Sequence, residues 1–232
     1  MVKSDIHIDS LQAILFDFDG VLCECMDVKT EAFIELFKPY GENIVKKVVK
    51  HHIENGGISR YHKIRHYFGE FLGKKISEEE VNKIAEQFSK LVVEKVIASD
   101  YVKGAKEFLE KYYKKIDLFV VSGAPQEELD LVVNERDMRK YFKGVYGTPT
   151  VKPIHFKRNI SENSYDINKV IYVGDSLSDM KNAQEVKVPF LGRITKANQG
   201  FFPDNIPTIN NFNEILNKHN FIKWYILYNE QR

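Results

Sequence analysis

The sequence predicts an α/β protein: a doubly wound parallel sheet with a helical domain inserted after its first strand. Three observations predict it. The short apolar runs are continuous rather than alternating, which marks strands covered on both faces. Through the second half of the chain they alternate with amphipathic stretches, as strand–helix–strand units do. The first two runs break this rhythm, because about a hundred residues lie between them, far more than one crossover helix needs.

Ala13-Ile14-Leu15-Phe16 is the first strand and ends at Asp17. The long segment after it is not loop-like. Lys29–Lys38, Glu42–Glu54, Ser59–Leu72 and Ser77–Ala98 carry helical periodicity, and Gly41, Gly56-Gly57 and Gly73 punctuate them. Ser77 before Glu78-Glu79-Glu80 is a helix start, a serine cap with acidic residues in the first turn. Residues 23–100 are therefore expected to form a small helical domain, and 1–22 with 101–232 the sheet domain. Asp117–Val121 is the second strand and ends at Ser122-Gly123. Gly144–Thr148 is the third, Lys169–Val173 the fourth, ending at Gly174-Asp175, and Val188–Ile194 the fifth. Helices are expected near 102–115, 125–140, 153–160 and 178–186. Phe212–Asn220 reads as a last helix, and Phe221–Tyr228 as a short strand or a helix extension.

Composition removes several function classes. The 232 residues carry 34 Lys and Arg against 33 Asp and Glu, a formal charge of +1. Such a chain gives no global reason to expect a nucleic-acid partner. Its 43% hydrophobic content is too high for a disordered chain. No apolar run approaches the roughly 18 residues of a membrane span, so no membrane association is expected. The first residues hold no apolar segment of the secretory type. The only cysteines, Cys23 and Cys25, are too close for a disulfide framework or a cysteine-based zinc site, which fits a cytoplasmic setting.

The polar residues at the strand ends carry the chemistry. Ligands of an open parallel sheet bind at the edge where its strands finish. The first strand delivers Asp17-Phe18-Asp19-Gly20, whose two carboxylates, two residues apart, both face the crevice. The second delivers Ser122-Gly123, a hydroxyl and backbone amides suited to a phosphate. The fourth delivers Gly174-Asp175-Ser176-Leu177-Ser178-Asp179. Four carboxylates at one edge repel each other and raise one another's pKa unless a hard cation joins them. Oxygen ligands of this kind suit Mg²⁺, which takes one or two carboxylates plus substrate phosphate. Lys152, placed before Pro153 at a helix start, adds a positive charge for a phosphoryl group. Lys157 is the neighbouring lysine that could be mistaken for it. One free carboxylate could attack phosphorus, and a second could protonate the leaving oxygen and then activate water.

DFDGVL at 17–22, VSG at 121–123, Lys152-Pro153 and GDSLSD at 174–179 resemble, in order and placement, the four motifs of the haloacid dehalogenase (HAD) superfamily. The resemblance covers the whole chain, with a Rossmann-like core and a helical cap inserted after the first motif. That cap position looks like the subfamily of phosphoglycolate phosphatase and β-phosphoglucomutase. The resemblance implies Asp17 as nucleophile and Asp19 as general acid/base. It implies Mg²⁺ held by Asp17, the Phe18 carbonyl and Asp175, with Asp19 and Asp179 as the further residues of the metal site. Asp179 would hold a metal water or orient Lys152. Ser122 and the Gly123 amide would bind the phosphoryl group, and Lys152 would neutralise it. Dehalogenases of this fold lack an aspartate at the position of Asp19, so the resemblance favours phosphoryl transfer.

The cap segment His51–His66 holds four of the seven histidines, with Arg60, Lys63 and Arg65. Gly56-Gly57-Ile58-Ser59-Arg60 resembles the cap loop that reaches substrates in this subfamily, with Ser59 as helix cap and Arg60 as a contact for a second anion. His62 and His66 read as surface residues. Where related chains often carry Asp-Ser, this one has Cys23-Glu24-Cys25 at the site mouth, with Glu24 as the acidic substitute. The expected activity is a Mg²⁺-dependent phosphatase acting on a small phosphorylated metabolite, a sugar or organic-acid phosphate, through an aspartyl-phosphate. The alternatives are a phosphomutase of the β-phosphoglucomutase type and a non-enzymatic regulatory or binding protein on the same fold. The expected state is a monomer or weak homodimer.

Overall fold

A computed structural model describes residues 3–217 and 221–225. The chain opens with β1 (Lys3–His7) and β2 (Ala13–Phe16). Four helices follow: α1 (Met26–Phe37), α2 (Glu42–Glu54), α3 (Arg60–His66) and α4 (Glu78–Ala98). Next come α5 (Ala105–Tyr112), β3 (Asp117–Pro125), α6 (Gln126–Glu135), β4 (Gly144–Thr148), α7 (Lys152–Glu162) and β5 (Val170–Gly174). The chain finishes with α8 (Leu177–Glu185), β6 (Phe190–Arg193), β7 (Thr208–Ile209), α9 (Asn213–Asn217) and β8 (Phe221–Tyr225).

Six strands form one parallel sheet in the order β4-β3-β2-β5-β6-β7. Successive side chains of a strand point to opposite faces, and both faces here are covered. Ile14, Phe16, Leu118, Val120, Ile171 and Val173 enter one core. Ala13, Leu15, Phe119, Val121, Val170 and Tyr172 enter the other. That two-sided burial is the physical reason for the continuous apolar runs. β2 lies centrally, with β3 on one side and β5 on the other, so the order reverses there. A crevice opens at such a reversal, beyond the carboxyl ends of the strands.

The insertion leaves and returns through adjacent strips of backbone. Glu24 N–H donates to the Asp100 carbonyl at 2.9 Å, and Val102 N–H to Leu22 at 3.1 Å. The inserted helices form a cap held by aromatic packing. Phe33 lies 4.5 Å from Phe88 and 5.6 Å from Tyr67 between ring centroids, joining α1, α4 and the segment after α3. The capping box of α4 is complete: Ser77 Oγ accepts from Glu80 N–H, and Ser77 N–H donates to Glu80 at 2.9 Å. α3 is shorter than its periodic stretch, because Tyr67–Phe71 continue as a π-helix that turns Tyr67 and Phe68 inward.

Of the two terminal elements, the sequence leaves the first unassigned and the second open between a strand and a helix extension. Lys3–His7 pairs antiparallel with Phe221–Tyr225 in a separate two-stranded sheet. A strand thus replaces the open choice at 221, and residues 226–228 lie outside the described residues, as do 218–220 of the expected last helix. Among the described residues, no helix is long and apolar enough to cross a membrane.

Candidate active site

Three strand ends and one helix start bring the sequence-predicted residues together. Asp17 follows β2, Ser122 and Gly123 lie within the last residues of β3, Asp175 follows β5, and Lys152 opens α7. β3 runs on to Pro125, but its pairing with β4 breaks register between Val121 and Pro125, where Ser122-Gly123 falls. Ser122 Oγ accepts from Ala124 N–H at 3.1 Å.

Lys152 is buried and its Nζ lies 2.9 Å from Asp17 Oδ2, 2.7 Å from Asp179 Oδ1 and 2.8 Å from the Tyr172 hydroxyl. Burial opposes its charge, yet Asp17 and Asp179 hold its pKa above the usual lysine value. Lys157 instead faces Glu185 across 3.9 Å at an exposed surface. Asp179 is fully engaged. Its Oδ1 also accepts from Tyr172 at 2.8 Å, and its Oδ2 accepts from Ser176 Oγ at 2.6 Å in a helix capping box. These bonds and Lys152 keep its carboxyl below the usual range, against burial.

Asp175 behaves in the opposite way. Its Oδ1 is buried with no hydrogen-bond partner among the described residues. Burial, then the charges of Asp179 and Asp17, push its pKa well up. Burial pushes Asp17 up to about 7, helped by Asp179 and Asp19 and resisted by Lys152. One carboxylate oxygen from each of Asp17, Asp175 and Asp179 lies within 4.8 Å of the others. An orphaned buried carboxylate oxygen inside an all-oxygen cluster fits a hard divalent cation. Gly20 makes the pocket possible: at φ +71° its backbone suits glycine, and a Cβ there would sit 2.1 Å from Asp175 Oδ2.

Asp19 carries contacts that the motif reading missed. Lys29 Nζ lies 2.5 Å from its Oδ2, and Cys25 Sγ donates to its Oδ1 at 3.0 Å. Burial opposes ionisation of Asp19, but the Lys29 ammonium and these two hydrogen bonds keep its pKa below the ordinary value. Cys23 and Cys25 are buried rather than lining an open mouth. Glu24 pairs instead with Arg193, whose Nη1 also donates to the Gly20 carbonyl at 3.2 Å.

The cap closes directly on this edge. Gly57 N–H donates to Ser176 Oγ at 3.2 Å, and a Cβ on Gly57 would meet Asp179 Oδ1 at 2.5 Å. The glycine pair therefore permits close approach of backbone to core. Ser59 sits at the N-cap of α3, but its hydroxyl makes no cap bond. Arg60 is buried and engaged: its guanidinium grips Glu128 of α6 through 2.8 and 2.5 Å contacts, donates to Ser89 of α4 at 2.7 Å, and lies over Phe88. It lines the cavity while joining cap to core. His62 is exposed and His66 half-buried, stacked on His51.

Between cap and core lies a cavity of ≈ 30 Å³, lined on the core side by Asp17, Asp19 and Gly123 and on the cap side by Lys29, His52 and Lys63. Three of these residues escaped motif reasoning, although a signal existed. Lys29 shares a four-residue spacing with Phe33 and Phe37 on the apolar face of α1, and His52 follows the buried Val48 by four. A charged residue on a buried stripe is the informative exception.

Residues 14–193 match the haloacid dehalogenase-like hydrolase family, and the chain belongs to it. A phosphonoacetaldehyde hydrolase of Bacillus cereus is 22% identical over 205 residues, covering 79% of this chain and 76% of that protein. The β-phosphoglucomutase structure from Clostridium difficile superposes with a TM-score of 0.71 at 20% identity, over 90% of this chain and 97% of that one. The HAD-hydrolase YfnB from Bacillus subtilis, bound to magnesium, gives 0.65 at 15% identity over 89% and 97%. The two superpositions show that this chain shares their fold.

Proposed function

We propose that the protein is a Mg²⁺-dependent phosphatase that hydrolyses a small phosphorylated metabolite through an aspartyl-phosphate. The single observation that carries this reading is Asp17, Asp175 and Lys152 converging at one buried edge with Asp19 two residues from Asp17. In this reading residues 1–22 and 101–232 form the core that does the chemistry, and 23–100 form the cap that closes over it.

Asp17, the Phe18 carbonyl and Asp175 would hold the cation, which would neutralise charge on the phosphoryl oxygens. Asp179 serves Lys152 instead, since both its oxygens are already bonded within the protein. Ser122, the Gly123 amide and Lys152 receive the phosphoryl group. An Asp17 oxygen attacks phosphorus, and the bond from phosphorus to the ester oxygen breaks. Asp19 gives its proton to that departing oxygen. In the second half Asp19 takes a proton from water, the hydroxide attacks the aspartyl-phosphate, and inorganic phosphate leaves. Lys29 keeps Asp19 ionised in the closed state, the form that accepts the proton of water. The proton Asp19 donates in the first half is the one it took from water in the preceding turnover, a protonated state that the Lys29 ion pair opposes.

The relative named for phosphonoacetaldehyde raises carbon–phosphorus cleavage as a competing chemistry. A carboxyl positioned to protonate an oxygen leaving group favours ester hydrolysis for this chain. The test is release of phosphate from p-nitrophenyl phosphate with Mg²⁺, for wild type and Asp17→Asn. Expected is turnover by wild type and none by the variant. Equal rates would remove Asp17 as nucleophile, and turnover of phosphonoacetaldehyde alone would overturn the ester reading.

A further inference from the structure

We infer that His52 and Lys63, on the cap side of the cavity, form the subsite that recognises the organic end of the substrate through a hydrogen-bond acceptor oxygen. The inference rests on the phosphatase reading and adds what that reading lacks, a chemical requirement on the leaving group.

Both side chains are 2% exposed, and both line the cavity opposite Asp17 and Asp19. Lys63 Nζ lies 2.9 Å from His52 Nδ1 and 3.4 Å from the His52 carbonyl. An ammonium has only donors, so a charged Lys63 makes Nδ1 the acceptor and leaves the ring proton on Nε2. His52 Nε2 is buried and has no partner among the described residues. The dyad in that form presents an unused N–H donor beside a lysine amine with no carboxylate at salt-bridge distance among the described residues. Burial, then the Lys29 charge, depresses Lys63, while Asp175, Asp19 and Asp17 oppose this, so the amine stands within the field of the acidic edge.

Such a pair fits an acceptor, and an anionic or carbonyl oxygen satisfies both donors at once. A buried donor without an acceptor is costly, so the arrangement discriminates against a ligand that lacks one. The position identifies which part of the substrate supplies it. The phosphoryl group belongs on the core side, at Ser122, Gly123 and Lys152, so what reaches the cap is the remainder of the ester. The cavity is small, ≈ 30 Å³, which favours a short leaving group over a bulky one. A histidine that only fills the cap beside Phe33, its ring neighbour at 4.9 Å, would show no such discrimination.

The experiment compares three two-carbon phosphate monoesters: phosphoglycolate with a carboxylate, glycolaldehyde phosphate with a carbonyl, and ethyl phosphate with neither. Wild type is expected to favour one of the first two over ethyl phosphate by about tenfold or more in kcat/KM, the value of a hydrogen bond to a buried acceptor. The better of the two identifies the oxygen. Lys63→Met and His52→Asn are each expected to collapse that ratio to within about twofold, and His52→Gln, whose amide reaches toward the Nε2 position, to restore part of it. A wild-type ratio near one, or a ratio unchanged in all three variants, overturns the subsite. The same ligands are titrated calorimetrically into Asp17→Asn with Mg²⁺. If wild type hydrolyses none of them while Asp17→Asn still binds the acceptor-bearing ester about tenfold more tightly, the subsite stands and the phosphatase reading falls. Equal affinities for all three esters overturn the subsite whatever the turnover.

Discussion

Magnesium binding is expected to weaken steeply as pH falls below 7, because the cation must displace protons from Asp17 and Asp175. Burial holds Asp17 up to about 7 and Asp175 well above the carboxylate range. At pH 5.5, freeing Asp17 alone costs about 2 kcal/mol, a factor of about 30 in affinity. A bound cation at a hundredfold excess over its Kd adds about 2.7 kcal/mol of stability, which raises Tm by about 5–10 °C for a chain of this length. With a Kd about 30 times weaker, the same magnesium concentration adds only about 0.9 kcal/mol, or about 2–4 °C. The metal-free protein runs the other way. Folded Asp17 keeps a proton that the unfolded chain loses above the ordinary value of 3.8, so stability falls as pH rises from about 4 to about 7. Asp19 and Asp179, both depressed, add stability that is lost only below that window, as pH falls through their folded values. Scanning calorimetry with and without MgCl₂ at pH 5.5 and 8 reads all of this. Calorimetric titration in buffers of different ionisation enthalpy counts the protons released. A Kd independent of pH, with no proton release, would refute the reasoning.

Three further perturbations test individual contacts. Lys152→Met strands Asp17 and Asp179 in a dry site and is expected to cost about 3–5 kcal/mol at pH 7.5, partly regained at pH 5, whereas Lys157→Met should stay within about 0.5 kcal/mol by denaturant unfolding. Gly20→Ala should cost about 1–3 kcal/mol in strain and abolish stabilisation by MgCl₂, since its Cβ would occupy the space beside Asp175 Oδ2. Arg60→Ala removes the grip on Glu128, and amide exchange at residues 57–60 and 126–130 should quicken by about tenfold or more while the sheet strands keep their protection. Unaltered exchange there would mean that other contacts hold cap to core.

What the sequence revealed and what it hid divide along physical lines. The six-stranded core was legible at five strands because burial on both faces writes a continuous apolar run. The sixth, Thr208–Ile209, is two residues long and too short to carry a pattern. The pair Lys3–His7 and Phe221–Tyr225 joins segments more than two hundred residues apart, and no local period reports such a pairing. The core side of the cavity was legible because its residues sit at strand ends beside glycines, where spacing fixes direction. The cap side was not, because its residues come from helices whose mutual rotation only packing decides. Arg60 shows the difference. Its place in the cap loop was visible, but not Glu128, 68 residues away on another element.

That asymmetry explains how a chain of formal charge +1 builds a strongly polarised site. The carboxylates Asp17, Asp19 and Asp175 come from the loops that follow β2 and β5, and Asp179 from the first turn of α8 just beyond. Of the cations that meet them, Lys152 comes from α7 of the core, whereas Lys29 and Lys63 come from α1 and α3 of the cap. Lys29 of the cap lies against Asp19 of the core, and Gly57 allows the cap's close approach by lacking the Cβ that would strike Asp179. The cap therefore contributes to the charge state of the acidic edge. It places positive charge beside Asp19, and removing the cap's lysines should disturb the electrostatics of an edge that they do not build.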